Sequence, residues 1–284
     1  MADRIIHYQV EKECRLLDFL LEKMTDRKRT AVKQLLQHRQ IAVNMTPTTQ
    51  FDVQLQPGDK VSVNLSRAFV TFSHRRVKLV YEDEDILVIE KGYGLLSVGT
   101  GKANEETAYD ILKKYLKEKD PGNKIFVVHR LDRDTSGLMM FAKNERAKEA
   151  MQYNWNNMVL NRKYIALVEG IPEEKSGVIR SYLKENSAFE VYSSDTSEEG
   201  QLAVTRFKVL KERGGYAIME LELDTGRKNQ IRVHMKDMGN PIAGDRKYGA
   251  KSNPHHRLAL HAATLRFIHP VTRKEMKFES KIKF

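Results

Sequence analysis

Residues 129–144 read HRLDRDTSGLMMFAKN. They follow a short β-prone apolar run, Ile125, Phe126, Val127 and Val128, and lead into a second one, Leu138, Met139, Met140 and Phe141. Between the runs Thr135, Ser136 and Gly137 make a bend of small residues, so the stretch predicts strand, charged turn and buried strand. The turn sets two carboxylates, Asp132 and Asp134, among Arg130, Arg133 and Lys143. A carboxylate beside cations at a strand end is expected to stay ionised, because positive charge favours the charged form. An ionised, positioned aspartate is what nucleophilic or base catalysis needs. A surface loop with ordinary ion pairs uses the same residue types, and physics alone leaves both readings open.

On either side the pattern is mixed. Ile86, Leu87, Val88 and Ile89 predict a buried strand ending in the turn Lys91-Gly92-Tyr93-Gly94. Ala108, Ile111, Leu112, Tyr115 and Leu116 fall at helical spacing, and Pro121-Gly122 closes that helix. A helix is expected over about 144–155, then strands over 164–168, 203–210 and 216–223. The acidic, small-residue stretch 193–200 reads as an exposed loop. This order predicts an α+β catalytic domain over 78–284, a mixed, mainly antiparallel sheet with flanking helices.

Ahead of it, residues 1–65 predict a small α+β module. A helix begins with Leu16, Leu17, Phe19, Leu20 and Leu21; a second covers 27–37 with Ala31, Val32, Leu35 and Leu36 inward; short strands follow at 41–43 and 60–63. Lys23, Arg27, Lys28, Arg29, Lys33 and Arg39 oppose a single acid, Asp26, within 23–39. Such a set on a helix follows a phosphate backbone, although a solvated helical face looks the same. Residues 66–77 read as a linker.

The formal net charge of +11 points to a polyanionic partner. It is denser in residues 1–77, which carry +5, than in the longer remainder, which carries +6. The 284 residues, 40% of them apolar, suffice for a real core, with no run long enough for a membrane span. The charged N-terminus lacks a signal-peptide pattern, and Cys14, the single cysteine, excludes an intrachain disulfide, so a cytoplasmic monomer is expected. His255, His256 and His261 without a cysteine make a weak zinc set, and no glycine-rich phosphate loop appears. Neither a metal nor a cofactor is expected.

His129-Arg130-Leu131-Asp132 followed by Thr135-Ser136-Gly137 resembles the signature of the RluA/RluD-type pseudouridine synthases, which isomerise uridine in structured RNA. The resemblance implies that Asp132 is catalytic, that Asp134 falls where the motif varies, and that Arg130 moves into the space an extruded base leaves. RKYIALVEG, 162–170, is similar to the family's second motif, which places Tyr164 against the target base. TGRKNQIRVH, 225–234, is similar to the third, which pairs Arg232 with the catalytic aspartate. There Asn229 stands where relatives commonly carry histidine, and it is expected to cap the helix bearing Arg232. A bidentate contact from Arg232 would keep Asp132 charged. The family's usual proline is missing from the turn at 91–94. Leu17-Asp18, Val43-Asn44 and Gly58-Asp59 resemble the RNA-binding module named after ribosomal protein S-four. The resemblance thus implies a uridine-to-pseudouridine isomerase acting on RNA, ribosomal in preference to transfer RNA. A non-catalytic RNA-binding ribosome-assembly factor is the alternative; it explains the charge but not Asp132, Tyr164 and Arg232 together.

Overall fold

The computed structural model describes residues 4–99, 105–194, 196–197 and 200–282. The chain divides into two compact units, one of residues 1–73 with 115–123, the other of 74–114 with 124–284.

In the first unit the elements run β1 (Ile5–Gln9), β2 (Cys14–Arg15), α1 (Leu16–Lys23), α2 (Arg29–Gln37), β3 (Ile41–Val43), β4 (Thr46–Pro47), β5 (Gln54–Leu55) and β6 (Lys60–Asn64). β1, β6, β3 and β4 form one sheet in that order, and β2 pairs with β5. Leu16, Leu20, Val32 and Leu36 on the helices meet Ile41, Val61 and Val63 in one core. Fully burying each such side chain contributes about 1.5–3 kcal/mol. α2 starts two residues later than its pattern predicts, because Lys28 keeps extended backbone at the N-cap.

The second unit continues with β7 (Val77–Glu82), β8 (Ile86–Lys91), α3 (Ala108–Lys119, whose last residues belong to the first unit), β9 (Phe126–Val127) and β10 (Ser136–Ala142). Then come α4 (Glu145–Tyr153), α5 (Trp155–Met158), β11 (Val159–Glu169), β12 (Ser176–Glu185), β13 (Val191–Ser194), β14 (Gln201–Arg213), β15 (Tyr216–Leu223), α6 (Gln230–Asp237), β16 (Leu260–Ile268) and β17 (Glu275–Glu279). The main path through the sheet is β13-β12-β14-β15-β11-β16-β10-β8-β7, with β17 added to β16 and β9 to β10. The pairs are antiparallel except β10 with β16. The fold is α+β, as expected.

Every residue of β10 is buried, which is why its sequence is a continuous apolar run and not an alternation. Gly137 sits at φ +118, and a Cβ there would come 2.3 Å from the Ala262 carbonyl oxygen. Only glycine lets β10 come this close to β16. Asn144 caps α4 by accepting the Ala147 N–H at 2.9 Å. The expected loop at 193–200 begins later than predicted, since Ser193 and Ser194 pair in β13; residues 195, 198 and 199 lie outside the described residues.

Candidate active site

Asp132 lies in the turn between β9 and β10, held through the backbone on both sides. Ser97 Oγ donates to the Leu131 carbonyl at 2.7 Å and accepts the Leu131 N–H at 3.1 Å. Lys91, only 1% exposed, donates to the carbonyls of Arg133, Gly92 and Leu95 at 3.0, 3.0 and 2.8 Å. Three acceptors require three donors, and only the ammonium form has them. Burial brings the Lys91 pKa down to about 7, while the charges of Asp134 and Asp132 oppose that fall. Sequence reasoning placed Lys91 in an ordinary turn and did not single out Ser97; a cation closing a buried strand was the signal for the role of Lys91.

A cavity of about 500 Å³ opens over this turn, within the usual ~300–1,000 Å³ of small-molecule sites. Its wall includes Arg130 and Asp132 from the turn, Arg162 and Tyr164 from β11, and Asn229 and Arg232 around the start of α6. Three segments far apart in sequence therefore converge, because β11 runs between β15, which leads into α6, and β16, which lies beside β10. Tyr164 is 8% exposed, and burial pushes its hydroxyl up to about 12, so it stays a neutral phenol. Asp134 is exposed and is not part of the wall.

Two expectations about the electrostatics need correction. Arg232 does make a bidentate contact, but to Asp245: Nε and Nη2 each donate at 2.7 Å to the two carboxylate oxygens. Toward Asp132 it acts by charge alone, although it is the strongest cationic influence there, ahead of Arg130 and Lys91. Nor do these cations depress the Asp132 pKa. Burial outweighs them and, with Asp245 adding repulsion, raises it above the usual carboxylate range. Asn229 does stand at the N-cap position, but in left-handed backbone at φ +54 and without a capping side-chain bond. Instead its Nδ2 donates to the Tyr248 hydroxyl at 3.0 Å, and its Oδ1 accepts from Arg232 Nη1 at 3.1 Å. Asp245 ends the turn-forming stretch GNPIAGD at 239–245, and nothing in that stretch marks it as the partner of Arg232.

Ser136, His261 and Ser280 tie the scaffold together. Ser136 meets His261 Nδ1 at 2.8 Å, and the other ring nitrogen meets Ser280 at 2.9 Å. Among the described residues the ligand-type atoms close enough to share a metal are those of Asp83, Asp85 and His269, not those of His255, His256 and His261. Asp83 is already occupied by Tyr81, His269 and the N–H groups of Asp85 and Ile86.

Residues 85–237 match the RNA pseudouridylate synthase family. The chain belongs to that family. The uncharacterized RNA pseudouridine synthase YlyB of Bacillus subtilis (strain 168) is 34% identical over 277 residues, 95% of this chain and 91% of that one. Ribosomal large subunit pseudouridine synthase C of Rickettsia felis (strain ATCC VR-1525 / URRWXCal2) is 30% identical over 89% of this chain and 88% of its own. Human RNA Pseudouridylate Synthase Domain Containing 4 shares the fold at TM-score 0.61, with 24% identity over 72% of this chain and 88% of that one. The chain is thus an RNA pseudouridine synthase, an isomerase of RNA uridines.

In this pseudouridine synthase α6, which carries Arg232, is anchored by His234. That ring is fully buried, 2.8 Å from Thr205 Oγ1 and 3.1 Å from Ser181 Oγ. Burial lowers its pKa from 6.5 to about 4, so the folded protein keeps it neutral. Between those values the unfolded chain binds the extra proton and the folded one does not, so this contribution to stability falls as pH falls from about 6.5 toward 4. The full loss is about 3 kcal/mol. Unfolding curves across that range should show a steeper acid decline in wild type than in His234→Asn; parallel declines would place the sensitive group elsewhere.

Proposed function

We propose that this pseudouridine synthase acts on a uridine of ribosomal RNA, extruded into the cavity above Asp132. The observation that carries the reading is the convergence of Asp132, Tyr164 and Arg232 on one cavity from three separate motifs. A stacked or paired uridine is out of reach until it is flipped, and Arg130, exposed at the cavity wall, is suited to fill the gap it leaves. Asp132 then attacks the anomeric carbon of the ribose or removes the adjacent C2′ proton; either route needs the carboxylate. The N1–C1′ bond breaks, uracil rotates and rebonds through carbon 5, and as the proton on that carbon departs N1 takes one up. Tyr164 offers the base a stacking face and its hydroxyl a place in proton transfer. Substrate and product are isomers, with no net oxidation.

Ribosomal RNA is favoured over transfer RNA because relatives such as the Rickettsia felis protein are named for the ribosomal large subunit. Mapping pseudouridine in total RNA from cells with and without the protein tests both points. A site lost from ribosomal RNA supports the reading, and a site lost only from transfer RNA replaces it.

The first unit would grip the RNA in the manner of an S-four-like module. Lys23, Lys28, Arg29, Lys33 and Arg39 are exposed along α1, α2 and the turn after it, with Arg27 half-buried. Removing one cation from a phosphate lowers the slope of log affinity against log salt by about 0.7–0.9. The triple substitution Lys28→Gln, Arg29→Gln, Lys33→Gln should therefore flatten that slope by about two units for ribosomal RNA and leave turnover at saturation nearly unchanged. A full-strength slope in the triple variant would mean that this face binds something other than an RNA backbone.

A further inference from the structure

Arg162 stands two residues before Tyr164 on β11, so both side chains project from the same face of the strand, and both line the cavity. Its guanidinium lies over the Trp155 ring, 5.6 Å from the centroid. A Cβ on residue 226 would stand 2.7 Å from Arg162 Nη1, so Gly226 leaves the space that this end of the guanidinium occupies. The protein offers it little else: one long hydrogen bond, 3.4 Å, from Nη2 to the Leu223 carbonyl.

Among the described residues no carboxylate pairs with Arg162. The acid that influences it, Asp224, is held by Arg206 through three hydrogen bonds of 3.0, 3.1 and 2.9 Å. Arg232 across the cavity is different, saturated by Asp245. A largely desolvated cation without a counter-charge is costly unless something else supplies the charge. The anion that an RNA-modifying enzyme meets on every turnover is the phosphodiester, whose oxygens match the two-pronged donor geometry of a guanidinium. The cation–π contact with Trp155 restricts where that fork can swing before the substrate arrives.

We propose that Arg162, packed against Trp155 and Gly226, holds a backbone phosphate of the RNA next to the uridine in the cavity. The assignment rests on the cavity being the uridine site and adds a phosphate subsite to it. Arg162 is then a positioning residue: gripping the phosphate sets the ribose over Asp132 and the base against Tyr164.

The full chain is titrated with uridine, uridine 3′-monophosphate and uridine 5′-monophosphate at low and high salt. One monophosphate should bind at least about tenfold tighter than uridine, with an advantage that shrinks as salt rises. Arg162→Gln should erase the advantage and leave uridine binding unchanged; Arg162→Lys should keep part of it. Gly226→Ala, which displaces the guanidinium, should behave like the glutamine variant. With RNA from cells lacking the protein, Arg162→Gln should raise KM about tenfold and leave kcat within about threefold. Equal binding of uridine and both monophosphates by the wild type overturns the phosphate subsite alone, whether or not the variants fold. Failure of all three to bind overturns the uridine site and this inference with it. A fall in kcat at unchanged KM would also overturn it, assigning Arg162 to the adjustment of Tyr164.

Discussion

Asp132→Asn is expected to abolish isomerisation, by about a thousandfold or more, while RNA binding persists. The substitution keeps the shape of the side chain and removes its charge, so it strikes the chemistry and not the grip. Stability separates this result from trivial unfolding. The Asp132 pKa is raised in the folded protein, chiefly by burial. A carboxylate whose folded pKa lies above its unfolded one destabilises the fold at pH values where it is ionised. The asparagine variant should therefore melt at or above the wild-type temperature near neutral pH, with turnover gone. Asp134→Asn is the paired control: exposed, outside the cavity wall, and expected to stay active. Turnover of the Asp132 variant within about tenfold of wild type would remove this residue from the centre of the reaction. The same raised pKa predicts that wild-type activity climbs with pH as the carboxylate ionises, and pH profiles of kcat/KM will show it.

The elements with strong local patterns were readable before the structure. Residues 216–223, an apolar run passing into Glu-Leu alternation, form β15 over those same positions, and the leucine-rich start of the first helix is α1 from Leu16 to Lys23. β12 escaped prediction because its polar alternation, exposed on one face, lacks the apolar density of a core strand. Asp132 and Tyr164, which line the cavity, were readable through the motifs that resemble the family's and not from their residue types alone. What stayed hidden were the partners that motif residues acquire only by folding. Arg232 reaches a carboxylate thirteen positions on, and its identity depends on the turn at Gly244, where a Cβ would meet the Arg257 carbonyl oxygen at 2.1 Å. The Asp132 pKa depends on how far burial outruns three neighbouring cations, a difference of large opposing effects that no local pattern encodes.

Arg232→Met is expected to be nearly as damaging as loss of Asp132, for two reasons that a second substitution separates. The first is structural. Asp245, whose side chain is 1% exposed, loses its bidentate partner, and an orphaned buried charge costs about 3–5 kcal/mol. The second is electrostatic: Asp132 loses the strongest of the cations that favour its ionised form, so its pKa rises further. Adding Asp245→Asn removes the orphaned charge, so the double variant should recover most of the lost stability in urea unfolding. It should not recover turnover, because Asp132 still lacks its cation. The acid limb of the rate profile should move to higher pH in Arg232→Met. It should move back part of the way in the double variant, since Asp245 itself pushes the Asp132 pKa upward. Full activity in the refolded double variant would show that Arg232 serves only to neutralise Asp245. A single variant with wild-type rate and pH profile would show that Asp132 needs no help from Arg232.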